Sequence, residues 1–279
     1  MKFGINTLLW TANFNESNVD LLPRLKGMGF DGVEIARFSF ADCPAAPIRR
    51  SVEQNALDCV ACSALTGQLS LLNEHAPAAL TFLRDAIQWT AEVGARTLVG
   101  PFCSPVGYLP GRRRTEDEWQ RAIEGLQSLT PLLEQTGVTL AIEPLNRFET
   151  FFLNTAADVR ALCDAVNHPQ VGVLFDTFHA NIEEKSIRSA LVKIGPHLKH
   201  VHTCENDRGT PGSGHVAWPE LFDSLDRLHY DGWLVIESFG ACIPEIAAAA
   251  CIWRDLAASS ETLAEDGLRF LKRTYASAR

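Results

Sequence analysis

"VGVLFDTFHANIEE", residues 171–184, sets an apolar run directly against Asp176 and then, three residues on, against His179. The opening VGVLF reads as a strand buried on both faces, the kind a parallel sheet requires. Asp and Thr after a strand can simply begin a turn or cap a helix. A carboxylate and an imidazole at the end of a buried strand can also belong to a site. The rest of the chain weighs these two readings.

Working outward, similar strand-like runs recur: FGINTLL at 3–9, GVEIA at 32–36, CVACSAL at 59–65, RTLVG at 96–100, VTLAIE at 138–143, LKHVHT at 198–203 and WLVIES at 233–238. Amphipathic stretches lie between them, among them VDLLPRLKGMGF, ALTFLRDAIQWTAEVG, DEWQRAIEGLQSLTPLLEQTG and WPELFDSLDRLHYDG, several ending in Gly as helices often do. Strand-like runs alternating with helical patterns signal βαβ units and a parallel sheet. Eight such strands in 279 residues suit an α/β fold, a (β/α)8 TIM barrel, as one domain over 1–279. The stretch EIAAAACIWRDLAASS, 245–260, reads as an additional C-terminal helical segment.

The apolar content of 46% with 21% charged residues is that of a globular chain. No segment approaches the roughly 18 apolar residues of a membrane span. The opening MKFGINTLLW contains Asn6 and lacks a small-residue cleavage site, so a cytoplasmic protein is expected. A net charge of −9 argues against nucleic acid, which is held by clustered Lys and Arg, and favours a small neutral ligand. The 8 cysteines are irregularly spaced and are expected to be reduced. CVAC at 59–62 resembles a redox or zinc pair, but residues three apart on a strand point to opposite faces.

Catalytic groups of a TIM barrel sit at the C-terminal ends of its strands. The last four strands all end in a metal-capable side chain: Glu143, Asp176, His202 and Glu237. Four consecutive strands delivering such groups to one rim outweigh the reading of Asp176 as a cap alone. Three carboxylates and one imidazole form a hard set suited to Mn²⁺, Mg²⁺ or Co²⁺. Cys204, two residues beyond His202, reads as a packing or loop residue.

EPLNRFET, DTFHANIEE, HVHTCENDRG, VIESF and IWRDL together resemble motifs of the ketose 3-epimerases, a group within the xylose-isomerase-like TIM barrels. The resemblance covers most of the chain and is strongest from about Val138 onward. It implies a metal set on Glu143, Asp176, His202 and Glu237, and one divalent ion per chain, Mn²⁺ first with Co²⁺ or Mg²⁺ as alternatives. It also implies that Glu149, His179 and Arg208 hold substrate oxygens around C1 to C3, and that the protein is a homo-oligomer, a dimer or a tetramer. Read alone, those three residues would be a surface salt bridge, a helix cap or satisfied loop histidine, and a solvated loop charge.

The implied reaction is epimerisation at C3 of a free ketose of the D-allulose/D-fructose, D-tagatose/D-sorbose or L-ribulose/L-xylulose type. Inverting C3 through a cis-enediolate needs a base on one face and an acid on the other, and Glu143 and Glu237 are the natural pair. An aldose–ketose isomerase or an inosose dehydratase would use the same barrel and similar proton abstraction. An endonuclease-type barrel would need more histidines and a basic surface, and a non-catalytic sugar-binding barrel is a further alternative.

The glycines of GTPGSGHV, 209–216, suggest a phosphate cradle, yet the stretch lacks the Lys-Ser/Thr ending of a P-loop and reads as a flexible rim loop near Arg208. PGRRRTEDEW, 110–119, fits a sugar phosphate less well than charge pairing at a helix start. Phe3, Trp10 and Phe14 either wall the far end of a sugar or pack in the core. Some family members place aromatics after the first strand where this chain has INTLLW, which leaves the sugar preference open.

Overall fold

Eight parallel strands follow one another around a closed barrel in chain order, in a computed structural model that describes residues 1–277. They are β1 Lys2–Asn6, β2 Gly32–Ala36, β3 Asp58–Cys62, β4 Thr97–Gly100, β5 Thr139–Ile142, β6 Val171–Asp176, β7 Leu198–His202 and β8 Trp233–Ile236. Closure comes from β1 pairing with β8 through Lys2–Trp233 to Ile5–Ile236. The expected (β/α)8 barrel is the fold observed.

The pleat divides the strand side chains between two apolar layers. Ile5, Val33, Ile35, Leu98, Leu140 and Val173 join the large core shared with the surrounding helices. Ala36, Val60, Cys62, Val99, Ala141 and Leu174 form a separate cluster within the barrel. Cys59 and Cys62 accordingly fall in different layers, and all eight cysteines are free thiols. At the N-terminal end of the strands Trp233 needs space, and Gly32 provides it. A Cβ on Gly32 would lie 2.4 Å from the Trp233 ring and 2.6 Å from the Asp58 carbonyl oxygen.

The helices are α1 Leu21–Met28, α2 Ala45–Gln54, α3 Ala76–Glu92, α4 Glu116–Gln127, α5 Thr130–Thr136, α6 Ala156–Val166, α7 Thr177–Glu183, α8 Ile187–Ile194, α9 Trp218–Arg227, α10 Pro244–Ala249 and α11 Ser260–Ser277. The amphipathic stretch 117–137 is two helices, with Pro131 in the first turn of α5, where a missing N–H costs little. The additional C-terminal helix is α11, and 245–260 is only briefly helical. α10 stops at Ala249 and Cys251 turns left-handed at φ 55°. Ser259 Oγ then accepts the Thr262 N–H, 3.0 Å away, at the start of α11.

Two loops acquire definite roles. Residues 209–216 are ordered around the buried Glu205 carboxylate, which accepts from the N–H groups of Gly212 (2.7 Å) and Val216 (3.0 Å) and from Trp218 Nε1 (3.1 Å). Those glycines serve packing. In the run 110–119, Arg112 donates through both terminal nitrogens to Glu118 (2.8 and 2.9 Å), while Glu118 and Thr115 form a capping box at the start of α4. Arg114 pairs with Asp158 at 3.0 Å, so charge pairing at a helix start is what this run does.

Candidate active site

The strand ends of the second half-barrel converge. Asp176 and His202 close β6 and β7 in register with each other, while Glu143 and Glu237 stand one residue beyond β5 and β8. One donor atom from each of Glu143, Asp176, His202 and Glu237 lies within 4.8 Å of the others, and all four residues are buried. His202 Nδ1 is 3.2 Å from Glu237 Oε2 and 3.9 Å from both Glu143 Oε1 and Asp176 Oδ2.

Asp176 caps a helix with one oxygen and turns the other toward the cluster. Its Oδ1 accepts the Phe178 N–H at 2.7 Å and caps α7, while Oδ2 faces the cluster and accepts from Arg208 Nη1 at 2.8 Å. Arg208 is buried, not solvated. Its Nη1 also donates to Glu237 Oε2 at 3.0 Å, and its guanidinium lies between the Phe178 and Phe239 rings at 4.0 and 4.8 Å. The Arg208 backbone is left-handed at φ 66°, and its carbonyl accepts the Phe239 N–H at 3.1 Å, tying the β7 loop to the end of β8. Cys204 packs here too, its Sγ accepting from Arg208 Nη1 at 3.1 Å.

Crowded carboxylates in a buried site resist sharing negative charge. Burial, reinforced by the Glu237 charge, pushes the Glu143 carboxyl well above its usual range, and burial raises Asp176 against the pull of Arg208. Burial disfavours a charged His202, but the carboxylates of Glu237 and Glu34 overcome it and hold the ring's pKa high.

His179 accepts the Asn146 backbone N–H at Nδ1, 3.0 Å away, which assigns its proton to Nε2. That Nε2 lies 3.5 Å from Glu143 Oε1 and 3.0 Å from Arg208 Nη2, and burial keeps the ring neutral. Glu149, half-buried, accepts from Asn146 Nδ2 at 2.7 Å, and burial raises its pKa.

These groups line one side of a cavity of about 170 Å³, which Glu143, Glu149, His179, Arg208 and Glu237 share with an apolar wall of Leu8, Phe38, Phe239 and Ile246. Phe3 and Phe14 are instead core residues, and Trp10 packs on that core with its Nε1 on Glu261 at 3.0 Å. Phe3 lies with Ile5 on the helix-facing side of β1, and that strand ends early. Asn6 accepts the Leu8 N–H with its side chain at 2.8 Å and turns Thr7–Leu9 into a 3₁₀ helix, presenting Leu8 to the cavity.

Sequence reasoning passed over Glu34. Its signal was a lone charge inside the buried run GVEIA, a position that requires partners. Asn6 Nδ2 supplies one at 2.7 Å and also reaches Glu237 Oε1 at 3.3 Å.

The buried cluster could hold a metal ion. Glu143 Oε1 and His202 Nδ1 are buried without a hydrogen-bond partner, and both face the cluster. Three carboxylates crowd one buried site, and three oxygen donors with one nitrogen suit a hard divalent ion.

Barrel, rim cluster and cavity define a xylose isomerase-like TIM barrel, and the model of that family matches residues 22–274. The chain is 38% identical to a probable ketose 3-epimerase of Synechocystis sp. over 99% of its own length and 97% of the relative's. It is 31% identical to D-psicose 3-epimerase of Agrobacterium fabrum over 94% and 93% of the two chains. A crystal structure of D-allulose 3-epimerase from Methylomonas sp. in complex with D-allulose superposes with a TM-score of 0.93 at 26% identity, covering 99% of this chain and 97% of the other. The chain belongs to the ketose 3-epimerases, a family of isomerase-class enzymes.

Proposed function

We propose that this chain epimerises free ketoses at C3, with Glu143, Asp176, His202 and Glu237 holding one divalent ion, Mn²⁺ by preference, and Glu143 and Glu237 acting as the acid–base pair. The observation that carries this reading is the convergence of four donor atoms beside a cavity that Glu143 and Glu237 line together with the apolar Leu8, Phe38, Phe239 and Ile246. Arg208 is the only Arg or Lys lining that cavity among the described residues, and two carboxylates already engage it. No cation is left for a phosphate, which supports a free sugar over a sugar phosphate.

The ion, when bound, supplies positive charge against which an enediolate develops. The protein's own groups do the rest. One glutamate takes the C3 proton of one epimer, leaving a planar cis-enediolate, and the other returns a proton to the opposite face. In the reverse direction the two exchange roles. His179 Nε2–H and Arg208 Nη2, two donors 3.0 Å apart, would both be satisfied by one substrate oxygen facing the pair from the cavity. Glu149 at the cavity edge would accept from a hydroxyl. The eight free thiols support a cytoplasmic setting.

The test is to incubate Mn²⁺-loaded protein in deuterated water with D-fructose, D-tagatose and L-ribulose and to separate the products. Deuterium at C3 of both epimers, and bound manganese of about one ion per chain, are the expected results. Label at C1 with an aldose product would replace this reading with aldose–ketose isomerisation. Full turnover after chelation, with no metal added, would overturn the role of the ion.

A further inference from the structure

The imidazole of His202 has two edges, and only one faces the cavity cluster. On the other edge its Nε2 lies 2.8 Å from Glu34 Oε1, which also accepts from Asn6 Nδ2 at 2.7 Å. Glu34 Oε2 lies 2.8 Å from His200 Nε2, a close approach that is not an aligned hydrogen bond. Glu34, His200 and His202 are fully buried at 0% exposure, and Asn6 is 1% exposed.

A carboxylate buried there must be held by donors, and Asn6 of β1 and His202 of β7 supply two at Oε1, with His200 close to Oε2. Glu34 Oε1 already accepts from Asn6 Nδ2, so it is the acceptor on the edge it shares with His202 as well, and the hydrogen there belongs to His202 Nε2. The nitrogen left for the cluster is Nδ1, which is buried without a hydrogen-bond partner.

We infer that Glu34 is a positioning residue for the metal centre, fixing the Nε2–H of His202 so that Nδ1 faces the ion, and strengthening Nδ1 as a donor through the charge behind it. This rests on the reading of the cluster as a metal centre. A carboxylate on the far nitrogen of a ligating histidine orients the ring and raises its basicity, and losing such a partner typically weakens metal affinity by about 10- to 100-fold. The same three side chains read as a second metal site would need the Nε2 proton removed from His202. The fully buried site and the hydrogen-bond geometry at Nε2 favour the proton.

Glu34→Gln tests this with little change of volume, because its amide oxygen can still accept from His202 while its NH₂ faces the neutral His200 ring. Titrating metal-free protein with Mn²⁺ by calorimetry, we expect a dissociation constant about 10- to 100-fold higher than wild type, in a variant whose near-ultraviolet circular dichroism is native. Equal Mn²⁺ affinity in a folded variant would overturn the inference, even if its melting temperature fell, because that is the signature of a purely structural role. A second measurement avoids the variant altogether. In histidine-¹⁵N-labelled wild type, NMR should show His202 Nε2 protonated with and without a diamagnetic ion such as Mg²⁺, and an unprotonated Nε2 would overturn the inference if the variant fails to fold. Wild type that binds no Mn²⁺ while keeping the Nε2 proton would sink the metal reading, and with it the role of Glu34 toward an ion, but would leave the orientation of the ring standing.

Discussion

The half-barrel β5–β8 and the half-barrel β1–β4 share one pleat and one closed sheet, yet they deliver different chemistry to the rim. From the second half come Glu143, Asp176, His202 and Glu237, with Glu149 and Arg208 on the loops that follow and His179 in α7. The first half sends forward Leu8 and Phe38 as wall, with Cys62, Ser63 and Ala64 at the cavity, and places Asn6 and Glu34 behind the cluster. One half presents groups that can exchange protons with a sugar. The other shapes the space and orients a ring, so losses in the two halves should differ in kind: kinetic in one, and in folding or metal affinity in the other.

The sharpest way to break that contrast is at the proposed acid–base pair. Glu143→Gln or Glu237→Gln should lower the rate of deuterium incorporation at C3 by about 10²- to 10⁴-fold, with bound metal measured alongside to separate loss of the base from loss of the ion. Full epimerisation by both variants in their metal-bearing forms would remove the two-glutamate scheme. Next in size is Trp233→Ala, in β8 but at the end of the barrel away from the rim, where the contrast between the halves should not apply and the emptied space beside Gly4 and Gly32 should cost about 3 kcal/mol or more in urea unfolding. The surviving folded fraction should turn over normally. A kinetic defect with unchanged stability would show that the contrast is not confined to the rim.

Arg208→Ala sharpens the comparison within the rim itself. It removes charge-assisted hydrogen bonds but no ligand atom, so kcat/KM should fall by about 10- to 100-fold while metal content stays intact. Unchanged kinetics would take Arg208 out of the site. The smallest effect is expected far from either half-barrel, at the start of α4. The Arg112 fork, more than the Thr115 contacts, lowers the Glu118 carboxyl to about 2 from 4.5. A depressed folded pKa contributes stability above the ordinary carboxylate range and loses it as pH falls toward 2. Glu118→Ala should therefore cost up to about 1 kcal/mol at neutral pH, less in high salt, and match wild type near pH 2 by thermal melting. A gap that widened with acid would reverse the assignment.

The fold and the rim cluster were legible because continuous apolar runs, buried on both faces, and the polar groups that end them leave marks in one dimension. The run VGVLFD carries both marks, and β6 spans those six residues. Other features depend on what meets across the barrel. Glu34 and His202 are 168 positions apart, and nothing near GVEIA indicates which groups satisfy its charge. The early end of β1 was missed because Thr7, Leu8 and Leu9 have good strand propensity, whereas the Asn6 side chain captures the Leu8 N–H and turns the chain. The tail 245–260 misled through its alanines, since helix propensity is a weak guide where the backbone must turn left-handed at Cys251.

Asp176 spends one oxygen on the first turn of α7 and the other on the cluster, so two unrelated selective demands meet at a single codon. Serine or threonine would restart the helix but bring no carboxylate. Glutamate would bring the carboxylate but, one methylene longer, would misplace the cap. Asparagine could keep the cap with its oxygen, yet it would turn an NH₂ toward Arg208, donor against donor. No single substitution at this position serves both demands, and drift there is confined accordingly. Glu143 and Glu237 start no helix with their side chains, so the demands on them come from the cluster and the cavity alone.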